Sequence, residues 1–142
     1  MKKLIALLLL TVAVFSAMFA CGETPEFKLK DTDRYVVLTP SNEFVGQSVL
    51  TFMSHEKENG RLIYTADSSG TYTMITSING IKNPSDYSYC WMIYTDDENN
   101  YNEAYGSVEL EGKKYYQAVY GAENLIIAQG KIYIWFYQSF AS

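Results

Sequence analysis

The stretch Tyr87 to Thr95 constrains the fold of this chain more than any other part of the sequence. It is dense in aromatic and β-branched residues and contains no glycine, proline or charge, which is typical of a buried or half-buried strand. Side chains alternate between the two faces of a strand, and both faces of this one carry apolar bulk. We therefore predict a central strand with layers on each side, paired with the last apolar run, Lys131 to Phe140, which holds the only other tryptophan.

The first twenty residues have the features of a secretory signal peptide. Lys2 and Lys3 form a positively charged start, and Leu4 to Phe15 is an apolar run interrupted only by Thr11. This run is too short and wrongly flanked for a membrane span. We predict that residues 1–20 are removed during export.

Cys21 is the predicted lipidation site. The residues before it resemble a bacterial lipobox, in which a small residue, here Ala20, precedes a cysteine that is diacylated on its sulfur, although Met18 and Phe19 depart from the commonest pattern. A plainly secreted protein with an unusual cleavage site is the alternative. Lipid on Cys21 would anchor an extracytoplasmic protein to the bacterial cell membrane. A Cys21–Cys90 disulfide is a competing use of the two cysteines.

The mature chain has the size of one modest domain. Removal of the signal peptide leaves 122 of the 142 residues, enough for a single core. Residues 21–33 are predicted to be a tether, in which Phe27 and Leu29 allow a short edge strand, and residues 34–142 the domain. Without Lys2 and Lys3, nine of the 11 basic residues remain in the mature chain, together with all 16 acidic residues. This balance of about −7 argues against nucleic acid and against electrostatic binding to anionic lipid.

The predicted fold class is α+β. Val45, Val49, Phe52 and Met53 form an apolar stripe at helical spacing, a polar end follows, and Asn59-Gly60 is a helix stop. Strands are predicted over most of the remaining chain: Tyr35 to Thr39, Arg61 to Ala66, Thr71 to Ile78, Tyr87 to Thr95, Tyr105 to Leu110, Lys113 to Tyr120 and Lys131 to Gln138. We therefore expect one helix lying across a mostly antiparallel sheet.

The order of these motifs resembles a known domain family. The helix is followed by Ser77-Ile78-Asn79-Gly80, then Tyr89-x-Trp91-x-Ile93-Tyr94, then an ending with Gly130-x-Ile132-x-Ile134-Trp135-x-Tyr137. This pattern resembles the bacterial surface domain DUF4430, similar to the C-terminal domain of transcobalamin and intrinsic factor. The resemblance covers roughly Tyr35 to Phe140 and implies a β-grasp-like fold that binds a soluble ligand, which is cobalamin in the animal proteins. The acidic loop Thr95 to Ala104 is longer here than the family's usual Asn-Gly turn.

Residues for catalysis or metal binding are scarce. His55 is the only histidine, so neither a histidine-rich zinc site nor a Ser-His or Cys-His nucleophile is predicted. Cys90 lies in an apolar strand and is expected to be a poor nucleophile. Asp96 to Asn100 carry oxygens that suit calcium, but their spacing does not match an EF-hand, which favours a solvated turn. We predict no enzyme activity, no metal and no cofactor.

The aromatic residues of the last strand are the candidate ligand-binding residues. Tyr133, Trp135 and Tyr137 share one face, and Ile132, Ile134 and Phe136 share the other. We expect the aliphatic face to lie under the helix and the amphipathic Tyr/Trp face to be available for binding; simple coverage of the second sheet face is the alternative. The predicted function is a non-catalytic lipoprotein domain that binds a soluble ligand, for which the family resemblance implies a corrinoid-like molecule. The alternative is an adhesion module for protein or glycan.

Overall fold

The fold is taken from a computed structural model, which describes residues 24–30 and 33–140. The predicted signal peptide, the predicted lipidation site Cys21 and the possible Cys21–Cys90 disulfide therefore lie outside the described residues. Within the described ranges, no helix is long and apolar enough to cross a membrane.

The described residues form a mostly β, α+β fold with one α-helix, which confirms the predicted class. The α-helix, α1, spans Val49–Glu58, and two short 3-10 turns span Asn42–Phe44 and Glu103–Tyr105. The nine strands are β1 Glu26–Lys28, β2 Tyr35–Leu38, β3 Tyr64–Asp67, β4 Met74–Ile78, β5 Ile81–Lys82, β6 Tyr89–Thr95, β7 Ser107–Leu110, β8 Lys113–Gln117 and β9 Tyr133–Ser139.

Six strands form a curled, mixed sheet, and three form a smaller antiparallel one. The large sheet has the order β1-β7-β8-β6-β9-β2, and the small sheet has the order β3-β4-β5. β6 pairs with β9 along its whole length, from Tyr89–Ser139 to Thr95–Tyr133, so the predicted partnership of the two tryptophan strands is confirmed. Only the β1–β7 pair of the large sheet is parallel.

The large sheet begins inside the segment that was predicted to be a tether. β1 is the short edge strand that Phe27 and Leu29 allow, and it pairs with Ser107 to Glu109 of β7. The Phe27 ring lies 5.3 Å from the ring of Phe136. Burial of this aromatic contact holds β1 on the sheet, so residues 26–28 belong to the folded unit.

The helix starts later than its apolar stripe suggests. Ser48 is the N-cap and its hydroxyl accepts a hydrogen bond from the Thr51 amide at 3.1 Å, which satisfies one of the otherwise unpaired amides of the first turn. The helix ends before Asn59 and Gly60, and Gly60 has a φ of 71°, as the predicted stop requires. Val49, Phe52 and Met53 are its buried residues, so one face packs on the sheet.

The sheet buries both of its faces, and the assignment of the two β9 faces is wrong. Tyr133 and Trp135 lie in the larger core with the helix, and the Trp135 indole N–H donates to Met53 Sδ at 3.3 Å. Ile134 and Phe136 lie in a second core. This second core is filled by residues from other strands of the same curled sheet, including Phe27 of β1 and Val108 of β7. Because other strands of the curled sheet fill this core, the aliphatic side needs no helix to cover it.

Candidate functional site

An open apolar groove forms where β8 leaves β6. The two strands pair only at Tyr94–Gln117 and Thr95–Tyr116, followed by one further bond in which the Ala118 amide donates to the Ile93 carbonyl at 3.0 Å. The next amide, that of Val119, donates to the Asn100 carbonyl instead. The chain therefore diverges from β6 and leaves a gap beside it.

The other side of this gap is held by Asn83, which joins the two sheets. Its side-chain N–H donates to the Ile75 carbonyl of β4 at 3.0 Å, and its side-chain oxygen accepts from the Trp91 amide of β6 at 3.1 Å. Its own amide donates to the Thr76 carbonyl at 2.9 Å. The side chain of this one asparagine thus bridges β4 and β6 by hydrogen bonds to the backbone of each strand.

The resulting cavity, which we call the Trp groove, has a volume of about 310 Å³. The chain has two tryptophans, and Trp91 and Trp135 both contribute to its lining. Its residues are Tyr72, Thr73, Met74, Ile75, Trp91, Met92, Ile93, Gln117, Ala118, Val119, Tyr120, Gly121, Ala122 and Trp135. None of these side chains carries a charge at neutral pH.

Both indoles are oriented by protein partners, and the rim of the groove is exposed. Trp91 Nε1 donates to the Ile81 carbonyl at 2.9 Å, while the Trp135 indole points to Met53 as described above. Tyr72 is 73% exposed on the β4 side and Tyr120 is 51% exposed on the opposite side. Met74 and Val119 are also exposed. Apolar side chains gathered on both sides of a concave surface are typical of a binding site.

A carboxylate ties the two walls of the Trp groove together. Glu123 accepts the Thr73 amide at 3.1 Å on one oxygen and the Thr73 hydroxyl at 2.6 Å on the other. The hydroxyl bond first, and then the amide bond, lower the pKa of Glu123 below its usual range. The two residues lie 50 positions apart in sequence. Their contact therefore joins the segment before β4 to the segment after β8 at one end of the groove.

The three residues predicted to bind ligand do not form one exposed surface in the structure. Tyr133 is fully buried at 0% exposure, and its hydroxyl accepts from the Ala128 amide at 3.0 Å. Trp135 is 4% exposed and meets the Trp groove only as part of its floor. Tyr137 is half-buried and its hydroxyl donates to the Lys82 carbonyl at 2.8 Å. An exposed aromatic face on β9 is therefore a wrong prediction for Tyr133 and Trp135, because the helix covers that face.

Tyr137 takes part in a second, more polar groove, which is lined by the start of β6 and the end of β9. The Tyr137 and Tyr89 rings stack at 5.3 Å with an angle of 21° between their planes, and the Arg34 guanidinium lies 5.9 Å from the centre of the Tyr137 ring. This cavity has a volume of about 510 Å³. We call it the Arg34 groove; its lining also includes Phe27, Asp33, Phe136, Gln138 and Ser139.

The acidic loop after β6 uses its carboxylates to hold the fold. Asp96 accepts the Ile132 amide at 2.8 Å and pairs with Lys113. Burial opposes ionisation of Asp96, but these bonds outweigh it, and the pKa of the carboxyl is lowered. Asp97 is buried and accepts from the Asn99 amide and the Asn100 side chain. The predicted solvated turn is thus wrong for these two residues, which anchor the start of β9 and the loop itself.

The remaining candidates for chemistry, His55 and Cys90, lie on different elements, α1 and β6. His55 is 3.3 Å from Glu56 and packs on the Phe44 ring at 4.9 Å. Burial raises the pKa of the Cys90 thiol, in line with the expectation of a poor nucleophile. Within residues 24–30 and 33–140, no three His, Cys, Asp or Glu side chains are grouped so that they could hold a metal ion.

Sequence reasoning identified both tryptophans but missed the groove that they share. The rim residues Tyr72 and Tyr120 lie near the start of one predicted strand, Thr71 to Ile78, and at the end of another, Lys113 to Tyr120. Asn83 appears only as a chain-breaking residue before Pro84. The usable signal was that the two tryptophans belong to paired strands, which places them near each other once the register is known.

Comparison of the chain with protein-family models, with curated proteins and with solved structures gave no match.

Proposed function

We propose that this chain is the ligand-binding domain of an extracytoplasmic lipoprotein, anchored through lipid on Cys21 and binding a soluble ligand in the Trp groove without catalysis. We further propose that the fold is a β-grasp-like variant of the DUF4430 and transcobalamin C-terminal type that the motif order resembles. One observation carries the binding role: the two tryptophans lie in the floor of an open apolar groove whose rim is exposed on both sides.

The lining of the groove restricts the ligand to one with an uncharged apolar part. A charged group placed there would lose its hydration without gaining an ionic partner, which is costly. The volume of about 310 Å³ lies at the low end of the range of roughly 300–1,000 Å³ for small-molecule sites. A corrinoid is therefore expected to insert only one edge of its ring system and to leave the remainder in solvent.

Calorimetric titration with cyanocobalamin and with cobinamide tests the corrinoid version of this proposal. We expect binding to weaken about tenfold in the double variant Tyr72→Ser/Tyr120→Ser, because two exposed aromatic contacts are removed. Tyr105→Ser is the matched control, since Tyr105 is similarly exposed but does not line the groove. Absence of heat and of any change in the corrin absorbance would remove corrinoids as ligands.

Titration with the uncharged dye Nile red tests the groove independently of corrinoids. Binding should raise the dye emission and weaken in the same double variant but not in Tyr105→Ser. Equal dye binding by the parent protein and both variants would refute the assignment of the ligand site to the Trp groove.

An adhesion role is the second candidate, and the Arg34 groove supports it. A stacked tyrosine pair beside a guanidinium offers both an aromatic face and hydrogen-bond donors, which suit a sugar or a peptide. Glycan-array binding that is lost in Tyr89→Ser and Arg34→Gln, and retained in Tyr72→Ser/Tyr120→Ser, would favour adhesion. The reverse pattern would favour the Trp groove.

A further inference from the structure

One edge of β6 is left partly unpaired where it borders the Trp groove. Its other edge pairs with β9 along its whole length. On the groove side, β6 pairs with β8 only at Tyr94–Gln117 and Thr95–Tyr116. In the described part of the chain, the residues of β6 before Tyr94 therefore have a paired strand on one edge only.

Trp91 and Ile93 direct their backbone groups toward this open edge. The Phe140 amide donates to the Ser88 carbonyl at 2.8 Å, so a hydrogen-bonded pair lies at an even-numbered residue just before β6. Bonded and non-bonded pairs alternate along an antiparallel ladder. The even-numbered residues of β6 therefore bond to β9, and the amides and carbonyls of Trp91 and Ile93 point away from β9 toward the groove.

Only half of these four backbone groups have a partner. The Trp91 amide donates to the side-chain oxygen of Asn83 at 3.1 Å, and the Ile93 carbonyl accepts from the Ala118 amide at 3.0 Å. The return bond, from the Ile93 amide to the Ala118 carbonyl, is not formed, because β8 diverges at this point. Within residues 24–30 and 33–140, the Trp91 carbonyl and the Ile93 amide therefore have no hydrogen-bond partner.

An acceptor and a donor thus lie side by side in the wall of an apolar cavity. Trp91 and Ile93 are both buried, and buried backbone groups without partners destabilise a fold, so native proteins satisfy nearly all of them. A carbonyl and the amide two residues later form the pair that one residue of a parallel strand bonds with its own N–H and C=O. This pair therefore matches one residue of an extended chain.

We propose that the Trp groove recognises an extended, uncharged peptide segment that adds to β6 as a short parallel strand. One peptide residue donates its N–H to the Trp91 carbonyl, and its C=O accepts the Ile93 amide. Asn83 and Ala118 occupy the backbone groups on either side, so a single residue makes this contact. In such strand addition, main-chain bonds supply affinity and the side-chain pockets supply selectivity.

The chemistry of the groove restricts which peptide residues fit. None of the lining side chains is charged, so a charged peptide side chain would lose its hydration without gaining an ionic partner. Uncharged, mainly apolar residues are therefore selected. The inference rests on the assignment of the ligand site to the Trp groove and is independent of the corrinoid version of that proposal.

The compound N-acetylvaline methylamide is the smallest probe of this contact, because it is one uncharged residue with an amide on each side. In an NMR titration of the isotope-labelled whole protein, it should move the Ile93 amide proton downfield and shift the Trp91 carbonyl carbon. An analogue in which an ester oxygen replaces the valine N–H keeps the shape and lacks the donor. It should bind about tenfold more weakly, because the Trp91 carbonyl is then left without a partner.

The variant Gly121→Leu blocks the groove without altering either backbone group of β6. A Cβ at Gly121 would lie 3.9 Å from the carbonyl oxygen of Thr73, which also lines the groove, so a leucine there extends between the two walls. We expect binding of acetylvaline methylamide to weaken about tenfold. Gly70→Leu is the matched control, since its Cβ would meet only the Tyr72 carbonyl oxygen at 4.0 Å and Gly70 does not line the groove.

The outcomes separate this inference from the proposed function. Nile red binding without any shift of the Ile93 amide by acetylvaline methylamide would overturn the peptide inference and leave the Trp groove as the ligand site. Equal affinity for the ester analogue, or undiminished binding by Gly121→Leu, would also overturn it. If Gly121→Leu does not fold in a urea titration, the ester comparison decides. Failure of both Nile red and the valine probe to bind would overturn the groove assignment together with this inference.

Discussion

Replacement of Asn83 should reveal how strongly one side chain holds the two sheets together. In Asn83→Ala, the Ile75 carbonyl and the Trp91 amide both lose their partner. Ile75 and Trp91 are only 3% and 5% exposed, and a buried backbone group without a partner costs about 1–3 kcal/mol. Water can enter from the neighbouring open groove and recover part of this cost, so we expect a loss of about 2–4 kcal/mol in the free energy of unfolding.

Urea denaturation followed by tryptophan fluorescence measures this loss, and Asn124→Ala is a suitable control because Asn124 is an exposed loop asparagine. The control should change stability by less than about 0.5 kcal/mol. An equally small change in Asn83→Ala would refute the bridging role.

Asn83→Asp adds a test in which the structure defines the direction of the pH dependence of stability. The aspartate keeps the acceptor for the Trp91 amide but places a second oxygen against the Ile75 carbonyl, so the folded state disfavours the ionised form. The pKa of this carboxyl is therefore higher in the folded than in the unfolded state. The variant should lose stability relative to the parent as the pH rises above about 4. A constant difference across the pH range would contradict the proposed geometry.

Two further changes test other contacts in the structure. Trp135→Phe should cost about 1–2 kcal/mol, because it removes ring volume and the N–H contact with Met53 from the core; a change below about 0.5 kcal/mol would instead fit the solvent-facing position that the sequence suggested. Asp96→Asn should destabilise the protein by about 1–2 kcal/mol at neutral pH through loss of the Lys113 ion pair. The folded-state pKa of Asp96 is lowered, so the stabilisation is present above the unfolded pKa of about 3.9 and is lost as the pH falls through the folded value. In urea titrations, the difference in the free energy of unfolding between parent and variant should therefore be smaller at about pH 3 than at neutral pH. An unchanged difference would contradict the role of the ionised carboxylate.

Much of the local structure could be predicted because the responsible signals are local. The aromatic composition of Tyr87 to Thr95 predicts β6, and Asn59-Gly60 predicts the stop of the helix. The pairing of β6 with β9 also follows, because two strands that are apolar on both faces require buried neighbours. These features establish the α+β class without knowledge of the remaining contacts.

The candidate site could not be predicted to the same extent because its geometry depends on residues far apart in the chain. The Trp groove exists because β8 diverges after Ala118, because Asn83 spaces β4 from β6, and because Glu123 reaches Thr73. No periodicity in the sequence reports such contacts. A turn residue, a loop carboxylate and two strand-end tyrosines acquire a shared role only when the sheets are placed side by side.

The sequence by itself determined which residues of β9 share a face, but only the tertiary structure decided what each face meets. Alternation along a strand separates Tyr133, Trp135 and Tyr137 from Ile134 and Phe136 whatever the fold. The curl of the sheet then gives the aliphatic face a core of its own, and the helix covers the aromatic face. Hydrophobicity drives burial on either side without direction, so the choice between the two layers rests on the curvature of the whole sheet.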